Sequence, residues 1–135
     1  MMCERELERL ALVREAVRKL VVWSLAGDLE AVEAARLYFA GLSPSEIVHE
    51  LGAPRTRKIA LRGKIQRLGT GPVAATAVAV FRRPVDPVVV KTGGGYICLL
   101  CGRAVGGRPV SHVARNHSDV VEKLVDEVLE EVLRG

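Results

Sequence analysis

The sequence predicts a mainly α-helical fold with a small β segment (α+β). Apolar residues recur at three- and four-residue steps near both ends of the chain, which is the periodicity of an amphipathic helix. Short runs of β-branched residues lie between turn residues in the middle of the chain and indicate strands. With 135 residues, of which 49% are apolar and only 4% aromatic, the chain can build one medium domain or two small ones around an aliphatic core.

Four helices are predicted in the first half of the chain. They cover residues 3–26, 29–40, 44–51 and 55–68. Gly27 and Gly41 end the first two helices. The third begins with Ser43, Pro44 and Glu46, which predict a capping box with proline at the first helical position.

The second half is predicted to contain two strands and a final helix. Residues 73–81 alternate β-branched residues with alanine and are predicted to form a strand, and residues 88–91 are predicted to form a second, shorter one. The glycines of residues 92–95 indicate a turn or hinge. An apolar stripe of valine and leucine pairs predicts a helix over residues 119–134.

Charge is distributed unevenly along this chain, whose net charge is +4 and whose pI is near 9.3. Residues 52–69 contain six basic side chains and no acidic one, whereas residues 28–50 and 118–135 are acidic. A basic block between acidic flanks indicates a face that binds phosphate groups. The alternative interpretation is a chance cluster on a solvated helix.

Residues 37–68 have the layout of a helix-turn-helix, with a short capped helix, a glycine in the turn and a basic second helix. The stretch YFAGLSPSEIVHELG resembles the corresponding part of the sigma-factor C-terminal DNA-reading domain and related regulators. That resemblance implies that the second helix enters the major groove of DNA. The candidate nucleic-acid contacts are its cations and one hydroxyl: Arg55, Thr56, Arg57, Lys58, Arg62, Lys64 and Arg67.

Two cysteines and two histidines have spacings that suit one metal ion. Cys98 and Cys101 are separated by two residues, ten residues follow, and His112 and His117 are separated by four. Two thiolates and two imidazoles suit tetrahedral Zn²⁺, and four protein ligands leave no open position, so the predicted role is structural. The alternatives are an unmetallated CxxC beside surface histidines and, less favoured, a redox CxxC.

The same stretch resembles a two-Cys/two-His zinc finger of the ββα type. Tyr96 precedes the first cysteine by two residues, as the aromatic residue does in that family, and Pro109 suits the start of the finger helix. The spacer of ten residues is shorter than usual. Because a five-residue step between the histidines overshoots one helical turn, the helix is predicted to loosen near Asn116 and to restart at Ser118 or Asp119.

These observations predict three regions and a function. Residues 1–70 are predicted to form the helical domain, 71–95 a β-strand connector, and 96–135 the zinc finger with the C-terminal helix. We expect a cytoplasmic DNA-binding protein that regulates transcription, binds DNA in preference to RNA, and forms a homodimer through its N- or C-terminal helix. An RNA- or ribosome-associated protein and a protein-interaction adaptor that uses the acidic C-terminal helix are the alternatives.

Other classes of protein are less compatible with the sequence. No apolar run approaches the ~20 residues that a membrane-spanning helix needs. We expect no enzyme, because the chain has no Ser-His-Asp order, no phosphate-cradling glycine loop and no paired carboxylates outside helix faces. Cys3 is predicted to be a free thiol. Asn116 and Gln66 are the only side-chain amides, and this scarcity favours a thermophilic, archaeal source.

Overall fold

The computed structural model describes residues 4–134, and the predicted free thiol Cys3 lies outside them. Within these residues the chain forms seven helices and one two-stranded antiparallel sheet, so the mainly α-helical prediction is confirmed. The helices are α1 (Glu4–Leu25), α2 (Leu29–Phe39), α3 (Pro44–Glu50), α4 (Arg57–Gln66), α5 (Gly71–Val80), α6 (Pro109–Asn116) and α7 (Ser118–Arg134). The strands are β1 (Val89–Thr92) and β2 (Gly95–Cys98).

Helix α1 is the central element of the fold. Its second half is buried on nearly all sides, and Val17 and Val21 are fully inaccessible to solvent. Helices α2, α5, α6 and α7 all pack against it. The buried residues form one cluster that extends from Val13 to Val128, so the helical part and the Cys/His part share a single core.

Helices α2, α3 and α4 form a small three-helix unit beside α1. The predicted capping box is present, because the Ser43 hydroxyl accepts from the Glu46 backbone N–H and the Glu46 carboxylate accepts from the Ser43 backbone N–H. The turn that follows α3 contains Gly52, whose φ of 65° lies in the left-handed region that glycine adopts without strain. Leu61 and Ile65 bury one side of α4 against this unit.

The predicted strand over residues 73–81 is wrong, because residues 71–80 form helix α5. Thr70 and Pro72 begin the helix, and its buried residues Val73, Ala74 and Ala77 have helical spacing. A stretch that alternates valine with alanine is compatible with the two-residue period of a strand and with the 3.6-residue period of a helix. The small alanines allow α5 to approach α1 closely. The predicted β-strand connector over residues 71–95 is therefore a helix followed by a hairpin.

The hairpin and the last two helices complete the fold. Strands β1 and β2 pair in antiparallel register, with Val89 opposite Cys98, and residues 93–94 form the predicted turn. Helix α7 is held against α1 by ion pairs in which Arg14 contacts Glu122 and Asp126 at 2.7 Å. Within residues 4–134, no helix carries an apolar stretch that would cross a bilayer.

Candidate metal centre and nucleic-acid interface

The four predicted metal ligands meet at one point in the structure. Cys98 lies at the end of β2, Cys101 in the following turn, His112 on α6, and His117 at the junction of α6 and α7. Their ligand atoms all lie within 4.8 Å of one another. Cys98 Sγ is 3.4 Å from His117 Nε2, and Cys101 Sγ is 3.4 Å from His112 Nε2. These four residues could therefore hold one metal ion.

A tight backbone turn brings the two sulfur atoms together. The Gly102 N–H donates to the Cys98 carbonyl at 2.7 Å, and the Cys98 N–H donates to the Arg103 carbonyl at 3.0 Å. Gly102, directly after the second cysteine, has a φ of 73°, in the left-handed region that glycine adopts without strain. The turn buries Cys98 completely but leaves Cys101 exposed.

A break between α6 and α7 brings the two histidines together. Five residues on a continuous helix differ by about 140° around the axis, so the two rings would point to different sides. His117 leaves the helical conformation, with φ −127° and ψ 35°, and α7 begins at Ser118. The two Nε2 atoms are then only 3.2 Å apart. The predicted loosening of the helix near Asn116 is thus confirmed.

Asn116 is a residue of this site that sequence reasoning did not assign as one. Its side-chain amide lies 3.3 Å from His112 Nδ1 and 3.2 Å from the His112 carbonyl oxygen. The amide N–H donates to the His112 carbonyl oxygen, and its nitrogen lies beside His112 Nδ1, so Asn116 can orient the ring of this candidate ligand. The four-residue spacing from His112 was the available signal, because it places both side chains on one face of α6.

Helix α4 leaves a continuous face open to solvent. Thr56, Ile59, Ala60 and Arg62 are exposed, and Ile59 is 83% accessible, which is unusual for a large apolar side chain. Thr56 precedes the helix, but its side chain makes no capping hydrogen bond. The hydroxyl group is therefore free to bind another molecule.

The six cations among the predicted nucleic-acid contacts fall into two groups. Arg57 donates two hydrogen bonds to a Glu30 carboxylate oxygen at 2.6 and 3.0 Å, and Lys64 forms an ion pair with Asp28. These two cations join α4 to α2. In contrast, none of the other four cations forms an ion pair with the described residues 4–134: Arg55, Lys58, Arg62 and Arg67.

Comparisons with protein-family models, with curated proteins and with solved structures give no match.

The acidic residues of α7 are largely occupied within the chain. Glu122 and Asp126 contact Arg14, and Glu127 and Glu131 contact Arg83. Hydrogen bonds from Arg18 and then from Arg14 lower the pKa of the Glu122 carboxyl group below its ordinary value of 4.5. Four of the six acidic side chains of α7 therefore brace this helix against Arg14 and Arg83 of the same chain.

Proposed function

We propose that this protein binds duplex DNA and regulates transcription through the outward face of α4. The observation that carries the proposal is the open, basic face of α4, with Leu61 and Ile65 anchoring the opposite side. A recognition helix needs this division, because one side must hold the fold while the other enters the major groove. Helix α3 packs directly against α4 and would brace it across the DNA backbone.

The residues in and directly beside α4 would have separate roles. Arg55, Lys58, Arg62 and Arg67 have no ion-pair partner among the described residues, so they are available to neutralise phosphates. Ile59 and Thr56 lie nearest the start of the helix, where a methyl group or a hydroxyl contacts base edges. Arg57 and Lys64 would instead fix the position of α4 through α2.

We further propose that the bound metal is one structural Zn²⁺. Zn–S bonds of about 2.3 Å and Zn–N bonds of about 2.0–2.1 Å give a tetrahedron with edges of about 3.3–3.8 Å. The closest ligand separations, from 3.2 to 3.4 Å, lie at or just below the short end of that range. Zn²⁺ bound here would tie the hairpin to α6 and α7 and contribute to the folding free energy.

The test measures binding of the zinc-loaded protein to fluorescently labelled duplex DNA at low salt, with structured RNA as competitor. Ile59→Glu adds a negative charge to the outward face of α4 at an 83% exposed position, so it should abolish binding without lowering the melting temperature. Leu29→Glu, at a 51% exposed position on α2, is the matched control and should bind like the wild type.

Three results would contradict the proposal. If structured RNA displaces the duplex at equal concentration, the protein belongs to the RNA-binding class. If Ile59→Glu binds as tightly as Leu29→Glu, the outward face of α4 is not the binding surface. Absence of any nucleic-acid binding at low salt would favour the adaptor hypothesis instead.

A further inference from the structure

The N-terminal two turns of α1 extend beyond the core of the chain. All described residues of α1 before Val13 are exposed, including Leu7 at 54% and Leu10 at 51%. An isolated helical segment of this length is only marginally stable in water, and about half of the surface of each leucine is left uncovered by its own chain. These leucines are therefore available to an apolar partner.

An apolar groove lies beside these leucines. It runs between α1, α5 and α7 and has a volume of about 670 Å³. Its apolar lining comes from the three helices and includes Leu10, Val13, Val80, Leu129 and Val132. Val132 is itself 47% exposed. The groove and Leu7, which lies one helical turn before Leu10, form adjacent parts of one surface.

The charges at the edge of the groove indicate its occupant. Glu6 and Arg9 line the groove with opposite signs, and neither forms an ion pair with residues 4–132, whose side chains the structure describes. Further along α1, by contrast, Arg14 and Arg18 are paired with acids of the same chain. A partner of one charge sign would suit only one of the two edge residues, whereas a second copy carries both.

We propose that a second copy of this chain occupies the groove, with the two α1 helices antiparallel about a two-fold axis. In such a pair the same flank of each helix meets, because a two-fold axis makes the interface self-complementary. Glu6 of one protomer then lies opposite Arg9 of its partner, and the contact occurs twice. Leu7 of each protomer packs into the groove beside the partner's Leu10. The dimer would present two α4 helices to two DNA half-sites.

Sedimentation equilibrium without DNA tests the oligomeric state separately from the proposed DNA binding. The wild type should have twice the 14.6 kDa mass of one chain. Leu10→Glu should raise the dimer dissociation constant at least about tenfold, as expected for a buried interface position. The matched control is Leu12→Glu, which changes a residue of equal character on the same helix that is 54% exposed but does not line the groove. It should dimerise like the wild type.

Reversing the charge of Glu6 or of Arg9 tests whether the partner is a second copy. Glu6→Arg and Arg9→Glu should each weaken the homodimer, because each places like charges opposite one another. An equimolar mixture of the two variants should recover the dimer, since both contacts become attractive again. The proposal is overturned if the wild type is a monomer up to about 100 μM. It is also overturned if Leu10→Glu and Leu12→Glu dimerise equally, or if the mixture remains as weak as its components.

Discussion

The salt dependence of DNA binding is a quantitative consequence of the ion pairs around α4. Arg57 and Lys64 are paired with α2, which leaves four cations available for phosphates: Arg55, Lys58, Arg62 and Arg67. Each neutralised phosphate contributes about 0.9 to the slope of log K against log salt, so one bound chain should give a slope of about −3.6. Raising the salt from about 50 to about 200 mM should then weaken binding about 150-fold.

The double substitution Lys58→Ala/Arg62→Ala tests this assignment. It removes two of the four contacts, so the slope should fall to about −1.8 and the same change in salt should weaken binding only about 12-fold. Arg57→Ala is the comparison, because its guanidinium group is engaged by Glu30. It should leave the slope unchanged and cost about 0.2–1 kcal/mol of stability, as expected for a half-exposed ion pair.

Fluorescence anisotropy with one duplex over a series of KCl concentrations measures both slopes. In a dimer the two slopes double and their ratio stays the same. Arg82→Ala removes one exposed cation outside α4 and controls for net charge. The assignment of four phosphate-binding cations is wrong if Lys58→Ala/Arg62→Ala keeps the wild-type slope. It is also wrong if Arg57→Ala reduces the slope by as much as the loss of one unpaired cation would.

Three further outcomes are expected. Elemental analysis should find one zinc per chain. Chelation should lower the melting temperature of the whole chain in one transition, because Cys98 and Val113 belong to the common core. A separate low-temperature transition would contradict this. Asn116→Ala should lower zinc affinity at least about tenfold in competition with a chelating dye, and an unchanged affinity would remove Asn116 from the site. Glu122→Gln should cost about 0.5–1 kcal/mol at neutral pH in urea unfolding. Because folding lowers the pKa of Glu122, its contribution is present above the ordinary value of 4.5 and is lost as the pH falls through the folded value; a difference that persists in strong acid would contradict this assignment.

Much of the local structure followed from the residues that begin and end helices. Ser43 and Glu46 predicted the start of α3, and Gly27 and Gly41 marked the ends of α1 and α2. These signals can be recognised in sequence because a cap or a positive φ depends on a few adjacent residues. The spacing of the cysteines and histidines was also informative, because a metal ion imposes its own geometry on whichever ligands it binds.

The alternating residues of α5 show where sequence reasoning failed. Thr76, Val78 and Val80 favour a strand by propensity, and nothing local excludes one. The helix is decided by α1, which presents a surface that Val73, Ala74 and Ala77 cover together only with a helical period. Tertiary packing overrides a weak local preference whenever the burial of apolar surface is worth more.

The ligand set, the basic character of α4 and most helix boundaries could be predicted from the sequence, because these depend on residue type and near neighbours. Which cations remain available depends on the tertiary structure. Arg57 and Lys64 look the same as Lys58 and Arg62 in the sequence, but Glu30 and Asp28 lie 27 and 36 residues away and meet only the first two. The tertiary structure also decided which leucines of α1 lie beside a groove, because α5 and α7 form its other walls. Interactions over such sequence distances arise from packing, which no local pattern encodes.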